Sequence, residues 1–305
     1  MAASVGAVLH ELEYKGNALA RYCVLAIRTI SLIRRSKPHV IYFQNPSLIL
    51  AALIAALKSL SLIRCATVGD FHNAGVSPPT GAFLVPWIVR HCDLVIVSNQ
   101  NLEPRIVSIG GRCISVPDPI PTFESRHAAD PTAGGFRVLF VCSWAQDEPI
   151  TQVMRAAQFL EANHPEIRIS ITGRPKLAAV GWHDEVPGNL ELTGYLSDTD
   201  FERRLASCSV VLDLTTREDC MVCGAYEAVS AEVPMILSNN EPTVRYFHKG
   251  ALYSDNSARS IAELILQARA RHAQLRTEVR ELKAELSASE RQVLRRLSEL
   301  VPTPR

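Results

Sequence analysis

Short apolar runs alternate with segments of helical periodicity along most of this chain, and that alternation leaves few folds open. Residues 18–35 set Leu19, Tyr22, Cys23, Ala26 and Ile30 at helical spacing. Residues 39–43 (HVIYF), bounded by Pro38 and an Asn45-Pro46 turn, read as a buried strand. A helix over 47–60 follows, with Ser47 as its N-cap, and then a strand over 65–69 that ends in Asp70-Phe71-His72-Asn73. The pattern continues as helix 82–92, strand 93–97 (DLVIV), helix 100–109 and strand 113–116. Strands separated by helices imply right-handed crossovers and a parallel sheet.

Residues 117–135 (PDPIPTFESRHAADPTAGG) hold four prolines and end in a glycine pair, which marks a linker. The alternation restarts beyond it. Strands are predicted at 136–142, 167–172, 190–193, 210–214 and 235–237, and helices at 148–163, 198–207 and 224–231. The organisation expected is an N-terminal Rossmann-like domain over 1–116, the linker 117–135, a second Rossmann-like domain over 136–260 and a helical tail over 261–305. The fold class is therefore α/β, with two such domains facing across a cleft between their strand C-termini, where folds of this kind bind ligands. In the tail, Leu275, Val279, Leu282 and Leu286 fit either a coiled-coil seam or a helix packed on the body, and the few heptads favour the latter.

Composition narrows the function. A length of 305 residues with 47% hydrophobic and 21% charged side chains suits two globular domains and excludes wholesale disorder. A net charge of +1 gives no reason to expect nucleic acid. Residues 1–116 nevertheless carry 11 Lys/Arg against 5 Asp/Glu, a surplus of +6, so the remainder sums to −5. Such a basic half suits an anionic membrane surface, a diphosphate-bearing acceptor or an ordinary solvated face. The start of the chain lacks the pattern of a signal peptide. The longest apolar run, the 17 residues 47–63, is interrupted by Lys58 and as a helix would span about 25 Å, short of a bilayer core of roughly 30 Å. A cytoplasmic chain is expected, attached at most peripherally to the inner membrane face. The eight cysteines sit mostly in apolar runs, as free thiols do in a reducing compartment. Cys220 and Cys223 have the spacing of a redox or zinc pair, but no second pair or nearby His completes a site, so no metal is expected.

Three segments stand where a doubly wound fold carries its functional loops. Asp70 and His72 follow a strand, and a carboxylate beside a His can orient it to deprotonate a hydroxyl; a capped strand-end turn reads the same way. Arg174, in Ile171-Thr172-Gly173-Arg174, offers a guanidinium able to bind two phosphate oxygens, or simply a solvated basic turn. Asp219 and Glu227, eight positions apart, bracket a turn and a helix start, where backbone N–H groups suit an anion and Glu227 can accept from ribose hydroxyls.

The stretch from Asp219 to Ile236 resembles the element of family-4-like GT-B glycosyltransferases in which a Glu, seven residues and Glu-Ala-Met-Ala-x-Gly-x-Pro precede an apolar strand. Asp219 takes the first acid's position, Glu227 the second and Pro234 the proline, while Glu232 stands where Gly is usual. A closer likeness is to the β-mannosyltransferases that extend chitobiosyl-diphosphodolichol. Their Gln-Asn-Pro-Pro loop is similar to Gln44-Asn45-Pro46-Ser47, and their Asp-Trp-His-Asn segment to Asp70-Phe71-His72-Asn73. Their Ser-Trp-x-x-Asp-Glu signature is similar to Ser143-Trp144-Ala145-Gln146-Asp147-Glu148, and their Ile-Thr-Gly-Lys turn to residues 171–174. Relative to that family the chain starts after the first strand, its glycine-rich loop and the second strand.

The resemblance implies a GT-B fold and transfer of a sugar from a nucleotide-diphosphate sugar to a hydroxyl acceptor, including a lipid-linked saccharide. It implies that Ser143 and Trp144 line the donor site, that Tyr195 lies near the base, and that Arg174 neutralises the leaving diphosphate. Glu227 would hold the ribose and Asp219 the donor sugar, with His72 and Asp70 activating the acceptor. No cofactor or metal is implied, the nucleotide sugar acting as co-substrate. Two other functions share the architecture: a nucleotide-sugar epimerase, and a catalytically silent partner subunit. Whether transfer retains or inverts configuration stays open.

Overall fold

Parallel strands bury both faces under crossover helices, and the apolar runs of this chain do so twice. The computed structural model describes residues 5–45, 48–78, 80–123 and 135–301. It divides into two compact units, Met1–Asp118 with Glu290–Arg305, and Pro119–Ser289.

The first unit runs α1 (Ala18–Ser36), β1 (Val40–Asn45), α2 (Leu48–Ser59), β2 (Ala66–Phe71), α3 (Asn73–Val76), α4 (Val85–Arg90), β3 (Leu94–Val97), α5 (Glu103–Ser108) and β4 (Cys113–Ser115). Its sheet is parallel in the order β1-β2-β3-β4. Asn17 caps α1 by accepting from the Ala20 N–H at 2.9 Å, the role of a short polar side chain at a helix start. The helices expected over 82–92 and 100–109 each open as a 3-10 turn, and each α-helical part carries a proline in its first two positions. Proline is tolerated there because the first N–H groups have no intrahelical partner. Strand β2 runs two residues further than expected, so Asp70 and Phe71 belong to the strand, opposite Ile96 and Val97 of β3. Ser47, expected to cap α2, and Pro46 of the Gln44–Ser47 loop lie outside the described residues, as does 124–134 of the linker.

The second unit runs β5 (Phe136–Phe140), α6 (Ile150–Asn163), β6 (Ile167–Thr172), β7 (Leu190–Gly194), α7 (Asp198–Ser207), β8 (Val210–Asp213), α8 (Cys223–Ala231), β9 (Met235–Ser238), α9 (Glu241–Tyr246), β10 (Ala251–Ser254), α10 (Ala258–Ala270) and α11 (His272–Leu300). Its sheet is parallel in the order β10-β9-β8-β5-β6-β7. Strand β10 and helix α9 carry too little periodicity to be read from sequence. The tail is broken once, at Arg271, into α10 and α11. Leu275, Val279, Leu282 and Leu286 are buried in the cores of this unit, so the regular spacing reflects packing on the body. Beyond Ser289 the same helix belongs to the first unit, where Leu297 is buried against Val68, Leu94 and Ile96.

Candidate functional site

In the second sheet the chain first builds β5, β6 and β7 outward, then returns to the other side of β5 for β8, β9 and β10. The strand order therefore reverses between β5 and β8, and the crevice beyond the carboxyl ends of those two strands is where such sheets bind ligands. Four loops meet at that end, and side chains tie each to the next.

The loop after β5 is folded around the Glu148 carboxylate, which accepts from the Ser143 N–H at 2.9 Å, the Ser143 hydroxyl at 3.0 Å and the Ala145 N–H at 2.7 Å. Trp144, left-handed at φ 64°, is only 3% exposed and donates its indole N–H to the Thr172 carbonyl at 2.9 Å. Its ring thus anchors the loop to β6 and does not face the site. Next to it Gly173 has φ 82°, and a Cβ there would collide with the Cys142 carbonyl oxygen. Arg174, exposed at the end of β6, lies 5.9 Å from the ring centroid of Tyr195, which is 75% exposed after β7. Asp147 reaches across to the loop after β8, where it accepts from the Thr215 hydroxyl at 2.8 Å and pairs with Arg217 at 3.1 Å.

That loop continues through Asp219, half-buried in the turn before α8. Asp213, at the end of β8, is buried and accepts the Gly224 N–H at 2.7 Å, so it occupies a first-turn donor of α8 that the sequence offered to a ligand anion. Burial holds the Asp213 carboxyl well above the usual carboxylate range, despite that hydrogen bond. Gly224 is required by the approach, because a Cβ would meet the Asp213 carboxylate and Val141. One turn on, Glu227 is half-buried and has no hydrogen bond or ion pair among the described residues; burial pushes its carboxyl up to about 7. Ser143, Trp144, Arg174, Tyr195, Asp219 and Glu227 thus belong to one loop cluster of the second unit.

Asp70 and His72 belong to the first unit. The imidazole Nε2 lies 3.7 Å from the Asp70 carboxylate, and that carboxylate raises the His72 pKa above 6.5 against the opposing effect of burial. Asp118, which entered the sequence reading only as part of the linker, completes the group: burial raises its carboxyl while the charge of His72 lowers it. Asp118 and Asp213 were missed as site residues, and Asp147 and Glu148 entered only as the acids of the Ser-Trp-x-x-Asp-Glu signature, without a role of their own. Only the position of Asp213 at a strand's end, followed eleven residues later by Gly224, could have pointed to it.

Cys220 and Cys223 are free thiols, and no cluster of His, Cys, Asp or Glu among the described residues is arranged to hold a metal ion. No helix among them is long and apolar enough to cross a membrane.

No family model and no curated protein sequence matches the chain. Solved structures do. HepE of Anabaena in complex with UDP and glucose superposes with a TM-score of 0.68 at 14% identity, over 94% of this chain and 84% of that one. A UDP-forming α,α-trehalose-phosphate synthase from Burkholderia xenovorans gives 0.63 at 13% identity, over 93% and 80%. A putative UDP-N-acetylglucosamine 2-epimerase from Listeria monocytogenes gives 0.58 at 12% identity, over 88% and 77%. The fold expected from the sequence resemblance is the fold found: two Rossmann-like units of the GT-B type.

Proposed function

We propose that this chain is a glycosyltransferase that moves a hexosyl group from a nucleotide-diphosphate sugar to a hydroxyl acceptor. One observation carries the reading: the loops at and beside the order reversal of the second sheet, with the first turns of α8, bear a guanidinium after β6 and two carboxylates after β8 that suit a diphosphate, a hexose and a ribose. Arg174 is exposed and can bind two phosphate oxygens, compensating the charge that grows as the sugar departs. Glu227 accepts from the ribose hydroxyls and Asp219 from the donor sugar. Tyr195 offers a ring beside the base, and Ser143 and Trp144 contribute the backbone of the β5 loop. His72, held by Asp70, takes the proton of the acceptor hydroxyl, so that the nucleophile forms as the leaving diphosphate is stabilised. In this scheme charge on the diphosphate is met by Arg174 and no cofactor is invoked. The acceptor class we propose includes saccharides linked to a polyprenyl diphosphate at the cytoplasmic membrane face, which the cationic first half of the chain would attract.

Because HepE forms a complex with UDP and glucose and the Burkholderia synthase is UDP-forming, UDP-hexoses are the first donors to test. Calorimetry with UDP, GDP and ADP is expected to give one clear binder. Glu227→Ala is expected to weaken it by about 1–3 kcal/mol, the scale of a hydrogen bond to a charged group; unchanged affinity removes Glu227 from the site. The Listeria structure keeps an epimerase in view. Incubation with donor alone separates the two, since an epimerase interconverts it and a transferase leaves it intact.

A further inference from the structure

The basic character of the first half is concentrated. From Tyr14 to Gly69 there is no Asp or Glu, whereas Lys15, Arg21, Arg28, Arg34, Arg35, Lys37, Lys58 and Arg64 all fall in that stretch. Where the C-terminal ends of α1 and α2 meet the start of β2, the first unit has a groove of about 450 Å³, lined among others by Ile30, Ile33, Leu62, Arg34, Lys37 and Arg64. That volume falls within the roughly 300–1,000 Å³ of small-molecule sites. Pro38 and Cys65 of the lining precede β1 and β2, so the groove opens at the amino end of the sheet, opposite to Asp70 and His72.

Two further observations bear on what fills it. The turn after α2 exposes two leucines, Leu60 at 68% and Leu62 at 62%. Arg34, Lys37 and Arg64 are exposed, and among the described residues their side chains are in no ion pair. Aliphatic walls beside uncompensated cations complement a molecule with a hydrocarbon part and an anionic head. An extended peptide suits the groove less well, because its backbone N–H groups need acceptors and the lining side chains supply almost none.

We propose that this groove seats an anionic phospholipid of a membrane leaflet, with its phosphate on Arg34, Lys37 and Arg64 and its hydrocarbon against Ile30, Ile33 and Leu62. Leu60 and Leu62 enter the interfacial layer beside it, adding apolar burial to the attraction of the cations. The site is separate from the donor loops and stands whether or not the transferase reading holds.

Sedimentation of the full chain with vesicles tests it. The chain is expected to bind phosphatidylcholine vesicles that contain phosphatidylglycerol and to ignore phosphatidylcholine alone. The variant R34E/K37E/R64E should bind roughly a hundredfold more weakly, and L60S/L62S should lose the part of the binding that survives high salt. Both variants change exposed side chains, and unchanged melting confirms that they fold. A chain that binds none of UDP, GDP and ADP sinks the transferase reading and leaves this one standing. Equal binding to both vesicles, or binding indifferent to both variants, overturns the proposal. So does release of the chain by soluble glycerol 3-phosphate, which would make the groove a free-phosphate site. Failure to bind any vesicle, with stable association to a purified acidic peptide instead, would assign the groove to a protein.

Discussion

Glu232 shows how a single backbone angle explains a departure from a family pattern. It ends α8 at φ 59°, the left-handed region in which a glycine is unstrained, and glycine is the residue usual there. The exchange is offset by contacts that only a long acid can make: Glu232 pairs with Arg280 at 3.0 Å and Lys283 at 3.2 Å on α11. Glu232→Ala keeps the strain and loses both partners, whereas Glu232→Gly loses the partners and relieves the strain. Urea unfolding should find the Ala variant less stable than the Gly variant by about 1–2 kcal/mol; the reverse order refutes the account. Glu227 gives a pH signature. Its ordinary pKa of 4.5 is raised to about 7 by burial, so its contribution to stability is full below 4.5 and is lost as pH rises through about 7. Glu227→Gln should remove that decline from the pH dependence of melting. Ribose hydroxyls that donate to this carboxylate favour its charged form, so nucleotide binding near pH 6.5 should release protons. Calorimetry in two buffers of different ionisation enthalpy measures that release, and none would be seen if Glu227 stays outside the contact.

Elements are joined here through loops whose side chains point back to the scaffold. The Ser-Trp-x-x-Asp-Glu segment reads as a ligand signature in sequence, yet most of its side chains serve the loop itself: Glu148 gathers N–H groups, Trp144 fastens to β6 and Asp147 fastens to the β8 loop. Gly173→Ala should therefore disturb the site without touching a ligand. Strain at φ 82° and the collision with Cys142 cost about 1–3 kcal/mol, and nucleotide affinity should fall with stability. Affinity that holds while melting drops would separate the β6 turn from the site. On α11, Leu282 is fully buried among Val229, Phe247 and their neighbours. Leu282→Ala should destabilise by about 2–5 kcal/mol in urea unfolding, a cost that a free coiled-coil tail would not incur.

At the scale of the molecule the proposed chemistry is divided between the two units. The groups proposed for the donor lie in Pro119–Ser289, and Asp70, His72 and Asp118 lie in the unit that includes Met1–Asp118. His72→Ala is expected to leave nucleotide affinity unchanged and to depress turnover; an equal loss of both would break the division. With Asp70 raising its pKa above 6.5, His72 is neutral enough to accept a proton only above that shifted value, so turnover should rise with pH through it. Asp70→Asn should move the rise to lower pH.

Strands β1 to β9 and the α/β class were legible in the sequence because apolar runs and helical spacing are local properties, and each had to bury its own face. The GT-B resemblance rested on residues 44–47, 70–73, 143–148, 171–174 and 219–236, which keep their order whatever the loops do. Tertiary structure decided what spacing cannot carry. It extended β2 through Asp70, since pairing with β3 continues there, and it turned the Trp144 ring inward to meet a carbonyl 28 residues away. It brought Asp147 to Thr215 across the reversal of strand order, a contact that arises only when parallel strands distant in sequence end side by side, and it folded the start of α8 back so that Gly224 meets Asp213 at the end of β8.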